Sequence, residues 1–321
     1  LRADLWDTQA EFGPTAVPGL KDGEISFSQA NAVLPFSNTL ALVTLTGAQF
    51  ETLLEQQWQR DDTGAVPSRP YLQLGLSENV TYTYDPTLPE GSRITSVTID
   101  GVPLDPAAPY RIGTLSFLAA GGDNFRAFTQ GTDYVDTGLL DYEAWIDYLA
   151  DASPVQARFA KHAVSVTGAP AQAAAGTSIS FEVSGLELTS QGTPQATTLT
   201  TQLNGEEIGS TPVADGGATV SLTLPADATP GATALRLETD VAGTVVTVPL
   251  EITARTDAPG TGTGTGSGTP SGSGAPSGSA SGASTIASTG GTFPVGFVTV
   301  AVLAVIAAGV LMTLRHRRRE S

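Results

Sequence analysis

The chain has 321 residues, no cysteine, two histidines and a formal net charge of −17. Without cysteine it has no disulfide, zinc knuckle or thiol nucleophile, and His162 and His316 are too few for a His-rich hydrolytic metal centre. Acidity spread along the chain excludes nucleic-acid binding through a basic face and reads as solubility.

The length suffices for two folded domains plus further segments. The chain opens on Leu1, and residues 1–17 show no basic start followed by an apolar run. It is therefore expected to be a piece whose N-terminus lies upstream.

Residues 1–153 mix helix and strand signals. Residues 40–45 read as a strand, and Thr46 can cap a helix carrying Phe50, Leu53, Leu54 and Trp58 as one stripe. Val80, Tyr82 and Tyr84 alternate with polar residues, as on a half-buried strand. Ile94, Val97 and Ile99 suggest the next strand, with a Gly- and Pro-rich turn at 100–103. Tyr142, Trp145, Ile146 and Leu149 form a closing helical stripe. An α+β domain is predicted.

Over residues 162–254 the helical period disappears. Short Thr- and Val-rich runs fall at 178–183, 197–203, 218–224, 232–237 and 245–252, separated by turn signals that include Asn204-Gly205, a favoured hairpin pair. Repeated short strands at this spacing predict an all-β, immunoglobulin-like sandwich. It shows no cluster of titratable or aromatic residues that would make a site, so a spacer or stalk is expected.

Residues 255–285 form a linker, and from 257 to 284 nearly every residue is Gly, Ser, Thr, Pro or Ala. Such a segment buries too little apolar surface to offset chain entropy and is predicted to be disordered; as a coil it spans roughly 30 Å. The final segment is 286–321. Within it, 294–314 is uncharged and mostly apolar, and as a helix of about 32 Å it would cross a bilayer. Arg315, Arg317, Arg318 and Arg319 follow at once, which places the tail in the cytoplasm and the body on the extracellular face.

Immediately before the predicted transmembrane helix stands Ile286-Ala287-Ser288-Thr289-Gly290. Pentapeptide, apolar span and basic tail, in that order, resemble the cell-wall sorting signal of Gram-positive bacteria, usually Leu-Pro-x-Thr-Gly and in some actinobacteria Leu-Ala-x-Thr-Gly. The resemblance implies a sortase that cuts between Thr289 and Gly290 and joins Thr289 to peptidoglycan precursor. The other reading is an ordinary single-pass membrane anchor.

Three patches in the first domain carry chemistry: Leu1-Arg2-Ala3-Asp4-Leu5, Ala32-Val33-Leu34-Pro35-Phe36 with Ser37-Asn38, and Phe117-Leu118-Ala119-Ala120-Gly121-Gly122-Asp123-Asn124-Phe125. Gly121-Gly122 makes a tight turn with room for a ligand or another strand. Asp123 can accept hydrogen bonds from a pair of ribose hydroxyls, or cap the next turn. Phe36 and Phe117 can clamp a base by stacking or sit in the core. Arg2 can grip a phosphate or be solvated.

In this order the patches resemble the C-terminal domain of the 5′-nucleotidase and UDP-sugar hydrolase family. The family pattern runs Asn-x-Gly-Gly-x-Arg, then Leu-Pro-Phe, then Phe-Leu-Ala-x-Gly-Gly-Asp-Gly-Phe. The resemblance covers nearly the whole first domain. It places Phe36 and Phe117 on the base-stacking positions, Asp123 on the ribose-binding one and Arg2 on the phosphate side. Asn38 falls where bacterial members carry a base-contacting Asn, and Gly121 and Gly122 fall on the glycine pair. Asn124 departs from the family's Gly, and its tolerance of left-handed backbone is expected to preserve the turn.

The family's catalytic domain, which holds two divalent metal ions, is not in this chain, so no catalytic or metal-binding residue is assigned here. The resemblance implies the nucleotide-binding part of a surface hydrolase of extracellular nucleotides, inactive alone. The alternative is a non-catalytic surface protein that binds nucleotides or mediates adhesion.

Overall fold

The computed structural model describes residues 24–190 and 192–255. Arg2, Thr289, Gly290, the linker and the apolar segment 294–314 lie outside them. Among the described residues no helix is long and apolar enough to cross a membrane.

The first lobe begins with α1 (Phe27–Val33), opened by a capping box. The Ser26 hydroxyl accepts from the Gln29 amide, and the Gln29 side chain accepts from the Ser26 amide. The predicted strand follows as β1 (Thr39–Thr46), burying Ala41, Val43 and Leu45 on one face. Thr46 then caps α2 (Gly47–Glu55) with a second capping box through Gln49, and the helix buries Phe50, Leu53 and Leu54.

Trp58 departs from the predicted stripe, because α2 stops at Glu55. It bridges to Tyr71 and packs edge-on against Tyr71 and Tyr84, with ring centroids 5.3 Å and 5.6 Å away. The Arg93 guanidinium stands 5.0 Å from its ring. An aromatic cluster, and not a helix face, uses this side chain.

β2 (Val80–Tyr84) and β3 (Ile94–Ile99) pair antiparallel. The Asp100-Gly101 turn, left-handed at both residues, leads into β4 (Val102–Pro103). β5 (Pro109–Leu115) and β6 (Thr132–Leu140) flank β1 in the order β5-β1-β6. Between β5 and β6 come α3 (Ser116–Ala119) and two short 3-10 turns, Gly122–Asn124 and Arg126–Gln130. α4 (Asp141–Asp151) closes the lobe against α1, with Trp145 buried and Tyr142, Ile146 and Leu149 half-buried.

The second lobe is all strand. Every run predicted there forms a strand: β9 (Ser178–Ser184), β10 (Thr198–Leu203), β12 (Gly217–Thr223), β13 (Gly231–Thr239) and β14 (Val245–Thr253). β7 (Ala163–Thr167), β8 (Gln172–Ala174) and β11 (Glu206–Pro212) join them. Asn204 and Gly205 are both left-handed in the β10–β11 hairpin, as a two-residue turn of this kind requires. One sheet runs β11-β10-β13-β14-β8 and the other contains β12-β9-β7. Leu199, Leu235, Leu237 and Val248 from the first share one core with Val164, Phe181 and Val220 from the second.

The composition change between residues 153 and 162 is not a break in the sheet. β7 pairs parallel with β2, Tyr82 opposite Ala163 and Tyr84 opposite Ser165, so one six-stranded sheet runs β12-β9-β7-β2-β3-β4 through both lobes. The Tyr82 amide donates to the His162 carbonyl at 2.8 Å, and the His162 Nδ1 lies 2.9 Å from the Val80 carbonyl oxygen.

Candidate functional site

The β1–β5 ladder decides where the two phenylalanines meet. It is antiparallel, with Leu40 opposite Leu115. Phe36 lies just before the start of β1 and Phe117 just after the end of β5, so both stand at one end of the three-stranded sheet. Neither is in the core. Phe36 is 70% exposed and Phe117 48%, which removes the reading of these rings as buried packing.

The Gly121-Gly122 turn follows α3 directly. Gly121 is left-handed (φ 86°), a conformation glycine takes without penalty. Gly122 is needed for space. A Cβ there would come within 2.6 Å of both the Phe117 ring and the Phe117 carbonyl oxygen. The absent side chain at 122 is therefore the seat of the Phe117 ring. Asp123 (φ 52°) and Asn124 (φ 63°) continue the turn, both left-handed, a conformation that Asp and Asn tolerate better than most residues. Phe125, only 1% exposed, pins the far end of the turn in the core.

Asn38 sits at the same end of the sheet, beside the start of α4. Its amide and its Nδ2 both donate to the Asp141 carboxylate at 3.3 Å, and the Asp141 amide donates back to the Asn38 carbonyl at 2.9 Å. Asp141 is 2% exposed and also accepts from the Tyr142 amide at 2.7 Å. The side chain of Asn38 is thus oriented by a buried carboxylate in the first turn of a helix, where negative charge is favoured.

The structure therefore brings Phe36, Asn38 and Phe117 to one sheet end, with the Gly121–Asp123 turn against Phe117. Arg2 lies outside the described residues. Sequence reasoning missed Asp141, which holds Asn38, and Gln59 and Arg126, which bond the side chain of Asn124 next to Asp123. The polar residue opening the α4 stripe was the one available signal, for Asp141. Among the described residues no group of three or more His, Cys, Asp or Glu is placed to hold a metal ion.

Two exposed rings stand at one sheet end, with a Gly-Gly-Asp turn against one of them. Residues 6–130 match the family model of the 5′-nucleotidase C-terminal domain. Protein UshA of Salmonella pullorum is 32% identical over 162 residues, 49% of this chain and 27% of that protein. The 5′-nucleotidase of Vibrio cholerae is 31% identical over 164 residues, again 49% of this chain and 27% of its own length. The crystal structure of a 5′-nucleotidase precursor from Thermus thermophilus is 33% identical, covers 43% of this chain and 27% of that one, and aligns with a TM-score of 0.37. The chain spans about a quarter of the length of these curated relatives. The segment matching the 5′-nucleotidase C-terminal domain contains every substrate-binding candidate except Arg2.

Proposed function

We propose that the first lobe binds a nucleotide, its base stacked between Phe36 and Phe117, its ribose hydroxyls on Asp123 and an edge of its base on Asn38. The observation that carries this reading is the exposure of both rings at one end of the β1–β5 ladder, beside the Gly-Gly-Asp turn. Two apolar rings exposed at the same sheet end each offer a base a face to stack on. Arg2 faces the phosphate in this reading.

The lobe serves as the substrate-binding part of a 5′-nucleotidase-type phosphohydrolase of extracellular nucleotides. The metals and the attacking water belong to a catalytic domain upstream of this chain. The all-β lobe acts as an immunoglobulin-like spacer; its sheet order, with β7-β9-β12 against β11-β10-β13-β14, supports that reading. Residues 286–321 anchor the protein to the cell wall through Thr289 or to the membrane through 294–314, by the order of their sequence signals.

Calorimetric titration of the 321-residue chain with adenosine tests the clamp. Stacking is worth about 1–3 kcal/mol per base, so Phe117→Ala and Phe36→Ala should each weaken binding by about five- to 150-fold. Unchanged affinity in both variants would overturn the assignment. Adenosine monophosphate should be bound by this chain and left unhydrolysed; turnover by the chain alone would remove the division of labour.

A further inference from the structure

The turn that carries Asp123 is both strained and tied down. Asp123 and Asn124 are consecutive left-handed residues, a conformation that L side chains adopt reluctantly and that persists where surrounding structure enforces it. The enforcing structure is the segment 56–62. Asn124 Nδ2 donates to Gln59 Oε1 at 2.8 Å. Gln59 is 4% exposed, and its own Nε2 donates to the Gln56 carbonyl at 2.9 Å. Arg126 closes the strap. Its Nη2 donates to Asn124 Oδ1 at 2.9 Å and to Asp62 at 2.6 Å, and its Nη1 donates to the Arg60 carbonyl at 2.9 Å. The Ala127 amide adds a bond to Gln56 Oε1 at 3.0 Å.

We propose that Asn124 and Arg126 are positioning residues for the carboxylate of Asp123, holding its turn in the left-handed arrangement that presents that carboxylate to the two hydroxyls of a ribose. The inference rests on the reading of Asp123 as the ribose acceptor. Arg126 gathers a carboxamide, a carboxylate and a main-chain carbonyl with one planar guanidinium, a geometry lysine cannot reproduce. A turn ordered in advance need not be ordered when the sugar arrives, and that saving appears as affinity. It bears more on the hydroxyls than on the base, because the strap grips residues 124 and 126, on the far side of Asp123 from the Gly122 backbone that seats the Phe117 ring.

The test compares adenosine with 2′,3′-dideoxyadenosine, which keeps the base and lacks both hydroxyls, on the 321-residue chain. The parent chain should prefer adenosine, and Asp123→Ala should bring the ratio close to one. Arg126→Gln and Asn124→Gly should each lower adenosine affinity about three- to tenfold, the effect of one net hydrogen bond, and lower dideoxyadenosine affinity by less, so that the hydroxyl preference shrinks. Loss of hydroxyl preference in Asp123→Ala with the ratio intact in both strap variants would overturn the proposal and leave the ribose reading standing. So would equal weakening toward both probes, which marks a general structural role. Absence of hydroxyl preference in the parent chain would overturn the ribose reading, and the proposal with it. Should Arg126→Gln fail to fold, Asn124→Gly decides, since glycine accepts the left-handed backbone without steric cost.

Discussion

Gln57 has no exposed surface, and both ends of its carboxamide are engaged. Its Nε2 donates to the Leu54 carbonyl at 2.9 Å, and its Oε1 accepts from the Leu74 amide at 2.8 Å and the Tyr82 hydroxyl at 3.1 Å. Burial holds that hydroxyl protonated, with its pKa well above the ordinary tyrosine value. Gln57→Leu keeps the volume and strands two buried donors, each worth about 1–3 kcal/mol. Urea denaturation should show a loss of about 2–5 kcal/mol, and a change within experimental error would refute this account. The sequence offered no sign of this role, because a glutamine beside Trp58 looks like a helix surface. The exposure of Phe36 and Phe117 was equally hidden, since residue type alone points to the core and only the motif said otherwise. The bond from Asn38 to Asp141 joins residues 103 apart, beyond the reach of any local pattern.

Among the elements, the turn after Trp58 links pH to the candidate site. The Asp61 carboxylate accepts from the Thr63 hydroxyl at 2.7 Å and from the amides of Thr63 and Ala65 at 2.8 Å and 2.9 Å. The Thr63 hydroxyl, then the Ala65 amide, hold its pKa below the ordinary carboxyl value. A depressed folded-state pKa means the ionised form supports the turn. That support is fully present above the ordinary carboxylate pKa of about 3.9 and is lost as pH falls through the lower folded value. The amide resonances of Thr63 and Ala65 should therefore move on acidification below about pH 4, and Asp61→Ala should show a disordered turn at neutral pH. Resonances indifferent to both changes would contradict this. The residues flanking Asp61, Arg60 and Asp62, are both gripped by Arg126.

β1 and α2 were readable because burial on one face and a capping box both leave local marks. β6 was not, because its first seven positions are exposed, so no alternation of apolar and polar residues is required of it. The helical stripe ran on to Trp58 for a related reason. An apolar residue at the right spacing does not reveal whether a helix face or a neighbouring aromatic cluster receives it.

At the scale of the molecule, the shared six-stranded sheet makes residues 24–255 one structural unit. Ala163, first residue of β7, is buried in the core of the first lobe with Val80 and Tyr82. Cutting the chain near residue 160 removes β7 and turns β2 into an unprotected edge. Scanning calorimetry of the chain should therefore show a single transition over both lobes, and a chain ending at 160 should self-associate. Two well-separated transitions would contradict this. Local signals marked where helix gave way to strand, but a parallel pair joining residues some eighty positions apart leaves no trace in composition. The same pairing bears on how such proteins can be recombined. A gene fusion cut at residues 152–162 would transplant the first lobe without the strand that completes its sheet. A workable exchange has to carry the chain through Thr167, or supply an equivalent strand from the new host, so the two lobes travel as a matched pair.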